Sequence, residues 1–286
     1  MSELANVTVI GAGTMGSGIA HVFALGGFDV NLVDSSKDAL EKALSSIKKN
    51  LAKQVKKETI STEEADISIA RVGAETTIDS SINSQLVIEA VYEKKEVKEK
   101  ILRELDSLCP SETVLATNTS SISISDLASC TNRSDKVIGM HFFNPVPIMK
   151  LVEVVRSIDT SDETFQTAID FGKALGKKTV GAKDTPGFIV NVLLVPYLLD
   201  AVRQLENGLA SAEEIDAAMV FGCGHPMGPL TLLDFVGLDT TLYIADIMYE
   251  EFKTVHYAAP PLLRRYVNAG YNGKKAGRGI YDYAAK

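Results

Sequence analysis

Three glycines near the N-terminus are spaced to hold a phosphate group. Gly11, Gly13 and Gly16 occur in the run Gly-Ala-Gly-Thr-Met-Gly, between an apolar β-branched segment and a helical pattern. In that context the first glycine allows a tight turn, the second lets the backbone approach a pyrophosphate, and the third lets the helix pack closely on the strand. The helix then directs free N–H groups at the phosphates. The motif, which includes Thr14 and Met15, predicts dinucleotide binding; a purely structural turn is the alternative.

Asp34 is the second part of this pattern. It stands 18 residues after Gly16, at the end of the next predicted strand. An acidic residue at this point binds the ribose hydroxyls of an adenine nucleotide. Its negative charge repels a 2′-phosphate, so NAD is favoured over NADP. FAD is the competing cofactor, and a solvated aspartate is the alternative interpretation.

His141 and Glu153 are candidates for a proton-transferring pair. His141 directly follows the predicted strand at residues 137–140, and Glu153 lies twelve residues later in the apolar run Leu-Val-Glu-Val-Val. A buried carboxylate is costly unless it is paired, and a histidine is the obvious partner. Such a pair fixes the imidazole tautomer and raises its basicity, as a general base for an alcohol proton requires. A core histidine bonded to the backbone is the alternative.

Further polar side chains follow predicted strands or interrupt apolar segments. Ser120 comes after the strand at 114–117, where helix capping is the alternative role. Glu93 and Lys98 follow the strand at 86–90, where they either contact the cofactor or begin a charged helix. Asn191 interrupts an apolar helical run, so its amide needs a partner, either a substrate hydroxyl or a neighbouring helix.

The remaining histidines and the cysteines carry weaker signals. His21 is expected to be packed or exposed in a helix, His225 to be structural in a turn-rich loop, and His256 to lie at the surface. Three cysteines without CxxC spacing favour a reducing compartment and neither a disulfide framework nor a metal site. No signal peptide or membrane span is predicted, and the chain is expected to be cytoplasmic.

These side chains need a sheet whose strands end at a common edge. Apolar β-branched runs predict strands at residues 7–10, 28–34, 86–90, 114–117, 137–140, 151–155 and 178–181. Helical patterns lie between them, and the one at residues 94–105 places Val97 and Leu102 on its apolar face. Strands that alternate with helices imply an α/β fold with a mostly parallel, Rossmann-like sheet.

Only helices are predicted in the last third of the chain. Thr185 can cap a helix with Pro186 at its first position, and Ser211 begins a capping-box pattern. We therefore expect an α/β domain at residues 1–184 and an all-helical domain at residues 185–286.

The composition sets limits on the function. The 286 residues are 45% hydrophobic and 23% charged, with a net charge of −8; these values exclude a disordered, collagen-like or disulfide-scaffold protein. The acidic total argues against general binding to nucleic acid or anionic membranes. One predicted helix is nevertheless basic, since residues 37–57 hold seven lysines against two acidic residues. Its lysine side is either an anion-binding surface or a solvated face.

Five segments, in this order, closely resemble the short-chain L-3-hydroxyacyl-CoA dehydrogenases, whose compact bacterial members are 3-hydroxybutyryl-CoA dehydrogenases. They are GAGTMGSGIA, ATNTSS, GMHFFNPVPIMKLVEVV, DTPGFIVN and GHPMGPLTLLDFVGLD, and they span essentially the whole chain. The resemblance implies NAD-dependent interconversion of an (S)-3-hydroxyacyl-CoA and a 3-ketoacyl-CoA. It also implies a helical C-terminal domain that covers the substrate and forms a homodimer or a dimer of dimers.

The resemblance also implies roles for individual residues. His141 is the general base or acid on the 3-oxygen, and Glu153 pairs with it. Ser120 and Asn191 bind the reacting oxygen region, and Asn144 orients the nicotinamide or the substrate. The implied cofactor contacts are Gly11, Gly13, Thr14, Met15, Gly16, Asp34, Glu93, Lys98, Ser120 and Asn144. The implied substrate contacts are Ser120, Asn144 and Asn191, together with Asn50, Lys53 and Lys57 of the basic helix, which would hold the anionic coenzyme A.

Other classes of protein fit parts of these patterns. Sugar-acid dehydrogenases of the gulonate type share the glycine loop and the His–Glu pair but do not need the lysine helix. The 2-hydroxy-acid and β-hydroxyacid dehydrogenases use a lysine catalyst, and the run His-Phe-Phe-Asn-Pro argues against them. A non-catalytic dinucleotide-binding protein would not need Ser120, His141, Glu153 and Asn191 together.

Overall fold

The computed structural model describes residues 6–284. The chain divides into two compact units, Met1–Thr185 and Pro186–Lys286, each with its own apolar core. Because β-branched runs dominate the first unit and helical periodicities the second, the local patterns account for their different architectures. In the part of the chain that is described, no helix is both long and apolar enough to cross a membrane.

Among residues 6–185, the first unit is built on one eight-stranded sheet. In chain order the strands are β1 (Asn6–Ile10), β2 (Asp29–Val33), β3 (Val72–Glu75), β4 (Leu86–Glu89), β5 (Val114–Thr117), β6 (Val137–Phe142), β7 (Leu151–Arg156) and β8 (Lys178–Lys183). Their order across the sheet is β3-β2-β1-β4-β5-β6-β7-β8, and every pairing is parallel except that of β6 with β7. The order reverses between β1 and β4, and such a switch point is where doubly wound sheets bind ligands. The predicted α/β fold is confirmed.

Helices complete both units. Those of the first unit are α1 (Thr14–Leu25), α2 (Lys37–Lys56), α3 (Thr62–Ala70), α4 (Lys95–Leu108), α5 (Ile124–Ala128) and α6 (Asp162–Ala174). The second unit contains α7 (Val190–Glu206), α8 (Ala212–Ala217), α9 (Pro229–Val236), α10 (Leu238–Phe252) and α11 (Pro261–Asn268). The capping box predicted at Ser211 is present, since its hydroxyl accepts from the Glu214 amide and the Glu214 carboxylate accepts from the Ser211 amide.

Seven of the eight strands lie within two residues of their predicted bounds. The prediction missed β3, which has the sequence Val-Gly-Ala-Glu and is mostly exposed at the edge of the sheet. So short a run, exposed at three of its four residues, becomes a strand because β2 pairs with it. The prediction also ended β6 too early, so that His141, expected just after the strand, lies inside it.

Helix α4 buries a different face from the predicted one. Leu102 is buried as expected, but Val97 is 40% exposed and its neighbour Lys98 is 1% exposed. Apolar periodicity assigned the buried position to the valine because lysine is rarely buried. Lys98 is buried because two acidic residues outside α4, Glu89 and Glu93, contact its ammonium group.

Helix α7 begins later than predicted. Thr185 and Pro186 do not start a helix; they precede a turn in which Gly187 and Phe188 both have positive φ. Left-handed residues break the helical hydrogen-bond pattern, so α7 begins only at Val190.

The end of the second unit is held to its helices by two carboxylates. Asp234 of α9 accepts hydrogen bonds from the backbone amides of Ile280 and Tyr281, at 2.8 and 2.9 Å. Asp216 of α8 accepts one from the Tyr281 hydroxyl at 2.9 Å. Burial raises the pKa of Asp234 although the backbone hydrogen bonds oppose that shift. The irregular C-terminal segment is therefore fastened by buried polar contacts.

Candidate active site

The predicted His–Glu pair is formed across two strands. His141 of β6 lies directly opposite Glu153 of β7, and their Nδ1 and Oε2 atoms are 2.7 Å apart. His141 is 6% exposed and Glu153 is fully buried. The Phe143 ring packs against the imidazole with its centroid 4.5 Å away. A carboxylate at Nδ1 holds the ring in one orientation and one tautomer, as proton transfer by a histidine requires.

Asn118 links this pair to the polar segment after β5. Its Oδ1 accepts a hydrogen bond of 2.9 Å from the backbone amide of Phe142, the residue after His141. The backbone amide of Asn118 donates to the backbone carbonyl of Glu89 at the end of β4. The ends of β4, β5 and β6 are thereby tied together. Sequence analysis noted the polar segment after β5 but gave Asn118 no role of its own, although its place directly after a buried strand was an available signal.

Glu93 organises the segment that contains Ser120. Its carboxylate accepts hydrogen bonds from the Thr119 hydroxyl, from the Ser120 amide at 3.0 Å and from the Ser121 hydroxyl at 3.1 Å. Lys98 Nζ lies 3.1 Å from its other oxygen. Burial alone raises the pKa of Glu93, but the Lys98 charge and these hydrogen bonds outweigh it, so the pKa lies below its usual range. Glu93 is therefore held as a carboxylate that fixes the backbone at Ser120.

The ammonium group of Lys98 contacts two acidic residues. Besides Glu93, its ammonium contacts both oxygens of Glu89, at 2.8 and 3.0 Å. Glu89 also accepts from the Thr117 hydroxyl and the Val91 amide, both at 2.7 Å. Sequence analysis did not single out Glu89, which is fully buried. The available signal was an acidic residue at the end of the apolar run Leu-Val-Ile-Glu; at Glu153 the comparable signal was an acidic residue inside an apolar run. Direct cofactor contacts of Glu93 and Lys98 stay predictions.

The glycine loop has the geometry of a phosphate cradle. Gly11 has a φ of +104°, and a Cβ atom there would lie 2.7 Å from the Ala90 carbonyl oxygen. A Cβ at Gly16 would lie 1.7 Å from the Gly11 oxygen, whereas the space around Gly13 is open to 4 Å. Gly13 precedes the first turn of α1, so unpaired backbone amides border that open space. These residues fit the diphosphate of a dinucleotide.

Asp34 completes the cradle. One carboxylate oxygen accepts from the Ala12 amide at 2.8 Å and the other from the Ser36 amide at 2.9 Å. The side chain thus joins the end of β2 to the glycine loop. That position beside the loop is where an adenosine ribose lies in this class of fold.

A cavity of about 330 Å³ lies beside the loop. It is lined by residues of the glycine loop and α1, including Gly13 and Thr14, by Asn50 of α2 and by Asn144 of the segment between β6 and β7. Three of the predicted binding elements therefore meet in one space. Lys53 and Lys57 are exposed at the end of α2.

The remaining candidate residues belong to α1 or to the second unit. Met15 is partly buried against the core of the first unit. Asn191 is the second residue of α7, in the second unit. The side chain of His225 contacts the Tyr197 hydroxyl at 3.1 Å, and His21 is buried. Among the residues described, no cluster of His, Cys, Asp or Glu is arranged to hold a metal ion.

A glycine cradle at the start of α1, an acidic residue after β2 and a buried His–Glu pair in the same sheet define a dinucleotide-dependent oxidoreductase. A family model for the NAD-binding domain of 3-hydroxyacyl-CoA dehydrogenase matches residues 6–185, and one for the C-terminal domain of the same enzyme matches residues 187–283. The chain belongs to the 3-hydroxyacyl-CoA dehydrogenase family, and its first unit is an NAD-binding domain.

Individual relatives agree with this assignment. The chain is 47% identical to the 3-hydroxybutyryl-CoA dehydrogenase of Bradyrhizobium diazoefficiens, over 97% of this chain and 94% of the relative. It is 46% identical to the human mitochondrial hydroxyacyl-coenzyme A dehydrogenase, over 97% and 91% of the two chains. The crystal structure of (S)-3-hydroxybutyryl-CoA dehydrogenase PaaH1 from Ralstonia eutropha matches with a TM-score of 0.94 at 44% identity, covering 97% of this chain and 98% of that one.

Proposed function

We propose that this chain catalyses the NAD-dependent oxidation of (S)-3-hydroxybutyryl-CoA to acetoacetyl-CoA, and the reverse reduction. The observation that carries the proposal is the buried contact between His141 and Glu153. It supplies a proton-transfer group in the sheet that also carries the glycine cradle. The names of the relatives support the substrate.

His141 is the proton-transfer group in the proposed mechanism. It removes the proton of the 3-hydroxyl group, and Glu153 stabilises the imidazolium that forms. The glycine loop and Asp34 would hold NAD, which would supply the acceptor for the hydride of C3. In the reverse direction the protonated His141 donates its proton to the ketone oxygen. Ser120 and Asn191 hold the reacting oxygen, and Asn144 orients the nicotinamide or the substrate.

In this proposal the two domains have different binding roles. Residues 1–184 bind NAD; the proposed contacts are Gly11, Gly13, Thr14, Met15, Gly16, Asp34, Glu93, Lys98, Ser120 and Asn144. Coenzyme A lies along α2, where Asn50 borders the cavity and Lys53 and Lys57 expose their ammonium groups. Residues 185–286 form the proposed substrate-binding and dimerisation domain.

We further propose a cytoplasmic homodimer, or a dimer of dimers, formed through the second domain. Leu193, Leu209 and Phe221 of that domain are 70%, 70% and 87% exposed, and large exposed apolar side chains favour association. Sedimentation analysis of the purified chain tests this part of the proposal; a monomer at micromolar concentration would contradict it.

The decisive experiment is NADH oxidation followed by absorbance. We expect turnover with acetoacetyl-CoA, slower turnover with NADPH, and none with a free 3-keto sugar acid, the oxidised form that NADH could reduce. A series of longer 3-ketoacyl-CoAs defines the acyl-length preference. Turnover with the sugar acid but not the CoA ester would support the gulonate-type alternative, and absence of turnover with every substrate would support a non-catalytic dinucleotide-binding role.

A further inference from the structure

The segment between β6 and β7 places a candidate site residue on irregular backbone. Residues 143–150 connect the two strands, and Asn144 lines the cavity together with Gly13 and Thr14. Within the segment, the amides of Ile148 and Met149 donate to the Pro145 carbonyl at 2.9 and 3.0 Å. These bonds close one turn but do not join it to the sheet or to α1. Contacts from outside therefore contribute to the position of Asn144.

Lys177 provides one such contact. It lies in the turn between α6 and β8, and its ammonium donates to the carbonyl oxygens of Val146 and Met149, at 2.5 and 2.6 Å. The side chain is partly buried, and burial lowers the pKa of Lys177. Hydrogen bonds from a charged donor are stronger than those from a neutral one. The two bonds from the Lys177 ammonium therefore restrain the backbone at Val146 and Met149.

Helix α1 supports the segment from another direction. A Cβ atom at Gly18 would lie 2.9 Å from Cβ of Val146, so the helix backbone and this side chain are in close contact. Val146 itself is 2% exposed. The segment is thus packed on α1 through the Val146 side chain and held through the Val146 carbonyl by Lys177. Since α1 begins at the glycine loop, these contacts set how Asn144 stands relative to that loop.

We infer that Lys177 is a positioning residue that holds Asn144 at the cofactor cradle. It acts through the backbone of residues 146–149 and not by touching the ligand. The inference rests on the proposed role of Asn144 in binding the nicotinamide or the substrate. It assigns a function to a lysine that the motifs of the glycine loop and the His–Glu pair do not include.

The test compares Lys177→Met with Lys178→Met. Lys178 is the adjacent residue of the same type, and its side chain is exposed. NADH affinity is measured by fluorescence titration. We expect Lys177→Met to weaken NADH binding about tenfold, because two hydrogen bonds from a charged donor are lost, whereas Lys178→Met should match the wild type. Lys177→Arg, which keeps the charge and the donors, should recover part of the affinity.

A double-mutant cycle with Asn144→Ala separates positioning from general stability. If Lys177 acts through Asn144, its substitution has little further effect on NADH affinity in the Asn144→Ala background. Additive effects, or equal affinities of Lys177→Met and Lys178→Met, would overturn the inference. Thermal unfolding is recorded for every variant, and Lys177→Gln replaces Lys177→Met in the cycle if the latter does not fold. The NADH titration does not depend on turnover. If the wild-type enzyme were inactive with acetoacetyl-CoA, the proposed function would be contradicted but the inference about Lys177 would not.

Discussion

Glu153 is an acidic side chain in an otherwise apolar strand, and none of its surface is exposed. Burial of a carboxylate is strongly unfavourable unless a partner compensates for the lost hydration, and His141 is that partner. Glu89 follows the same rule at the end of β4, with Lys98 as its partner. Sequence analysis predicted the first pair because a histidine is the expected partner of a buried acid. It missed the second because Lys98 lies on a helix whose apolar pattern favoured a neighbouring position.

Substitution of His141 tests the residue that transfers the proton. His141→Gln should lower kcat for acetoacetyl-CoA reduction by roughly 10²–10⁴-fold, since it removes the general acid. NADH affinity should be nearly unchanged, because the glycine loop and Asp34 are unaffected. Steady-state kinetics and NADH titration measure the two effects, with the exposed His256→Gln as the control. A His141 variant with full activity would contradict the role.

Substitution of Asp34 tests cofactor selection. Asp34→Asn removes the charge that repels a 2′-phosphate and keeps one oxygen acceptor, in place of the two that Asp34 offers to the Ala12 and Ser36 amides. The ratio of kcat/KM for NADH to that for NADPH should therefore fall, by roughly tenfold for a loss of repulsion near 1.4 kcal/mol. Asp38→Asn, at the exposed start of α2, is the matched control. An unchanged ratio would argue against a ribose contact at Asp34.

At the scale of elements, helices α1 and α2 carry two polar side chains, His21 and Gln54, with buried hydrogen-bonding atoms that lack partners among the described residues. His21 of α1 is 1% exposed, and neither of its ring nitrogens has a hydrogen-bond partner among the described residues. The amide oxygen of Gln54 on α2 also has none. Burial lowers the pKa of His21; nearby Gln54 partly opposes this shift, and the charge of Lys177 adds to it. The interface therefore favours a neutral imidazole.

This interface should make the first domain sensitive to acid. Because native His21 has a pKa below the usual 6.5, the unfolded chain binds a proton more readily than the native one. The contribution of His21 to the free energy of unfolding is complete above pH 6.5 and is lost as the pH falls from that value through the lowered native pKa. His21→Gln should flatten the pH dependence of stability in this range, measured by urea denaturation. His256→Gln should retain the wild-type slope, and an unaltered slope in the His21 variant would contradict the prediction.

At the scale of the whole molecule, the charge is unevenly distributed. The chain carries a net charge of −8, yet residues 37–57 hold seven of its lysines. In the structure this segment is almost entirely α2, and Lys53 and Lys57 are exposed near one end of it. An anionic ligand is therefore attracted by a local surface and not by the protein as a whole.

Removal of these charges should weaken coenzyme A binding selectively. The double variant Lys53→Gln/Lys57→Gln should raise the KM for acetoacetyl-CoA roughly tenfold at low salt, since each exposed charge contributes up to about 1 kcal/mol. The increase should shrink at higher ionic strength because salt screens such contacts. Lys100→Gln, on the exposed side of α4, serves as the control. A KM that stays at the wild-type value would place coenzyme A elsewhere.

The sequence by itself determined the features that neighbouring residues control. The glycine loop, seven strands and the capping box at Ser211 follow from local chemistry: β-branched runs favour strands, glycines permit turns and hydroxyl side chains cap helices. The two-part architecture followed from the change in hydrophobic period. The position of Asp34 after a strand was visible in the same way.

Only the tertiary structure decided the features that depend on distant partners. Strand β3 exists because β2 pairs with it, and Lys98 is buried because Glu89 and Glu93 reach it from other segments. His141 meets Glu153 at 2.7 Å because antiparallel pairing sets them opposite one another. For Lys98 and for the His141–Glu153 pair, the free energy of burying a polar group depends on what the fold brings against it, and spacing along the chain does not contain that information.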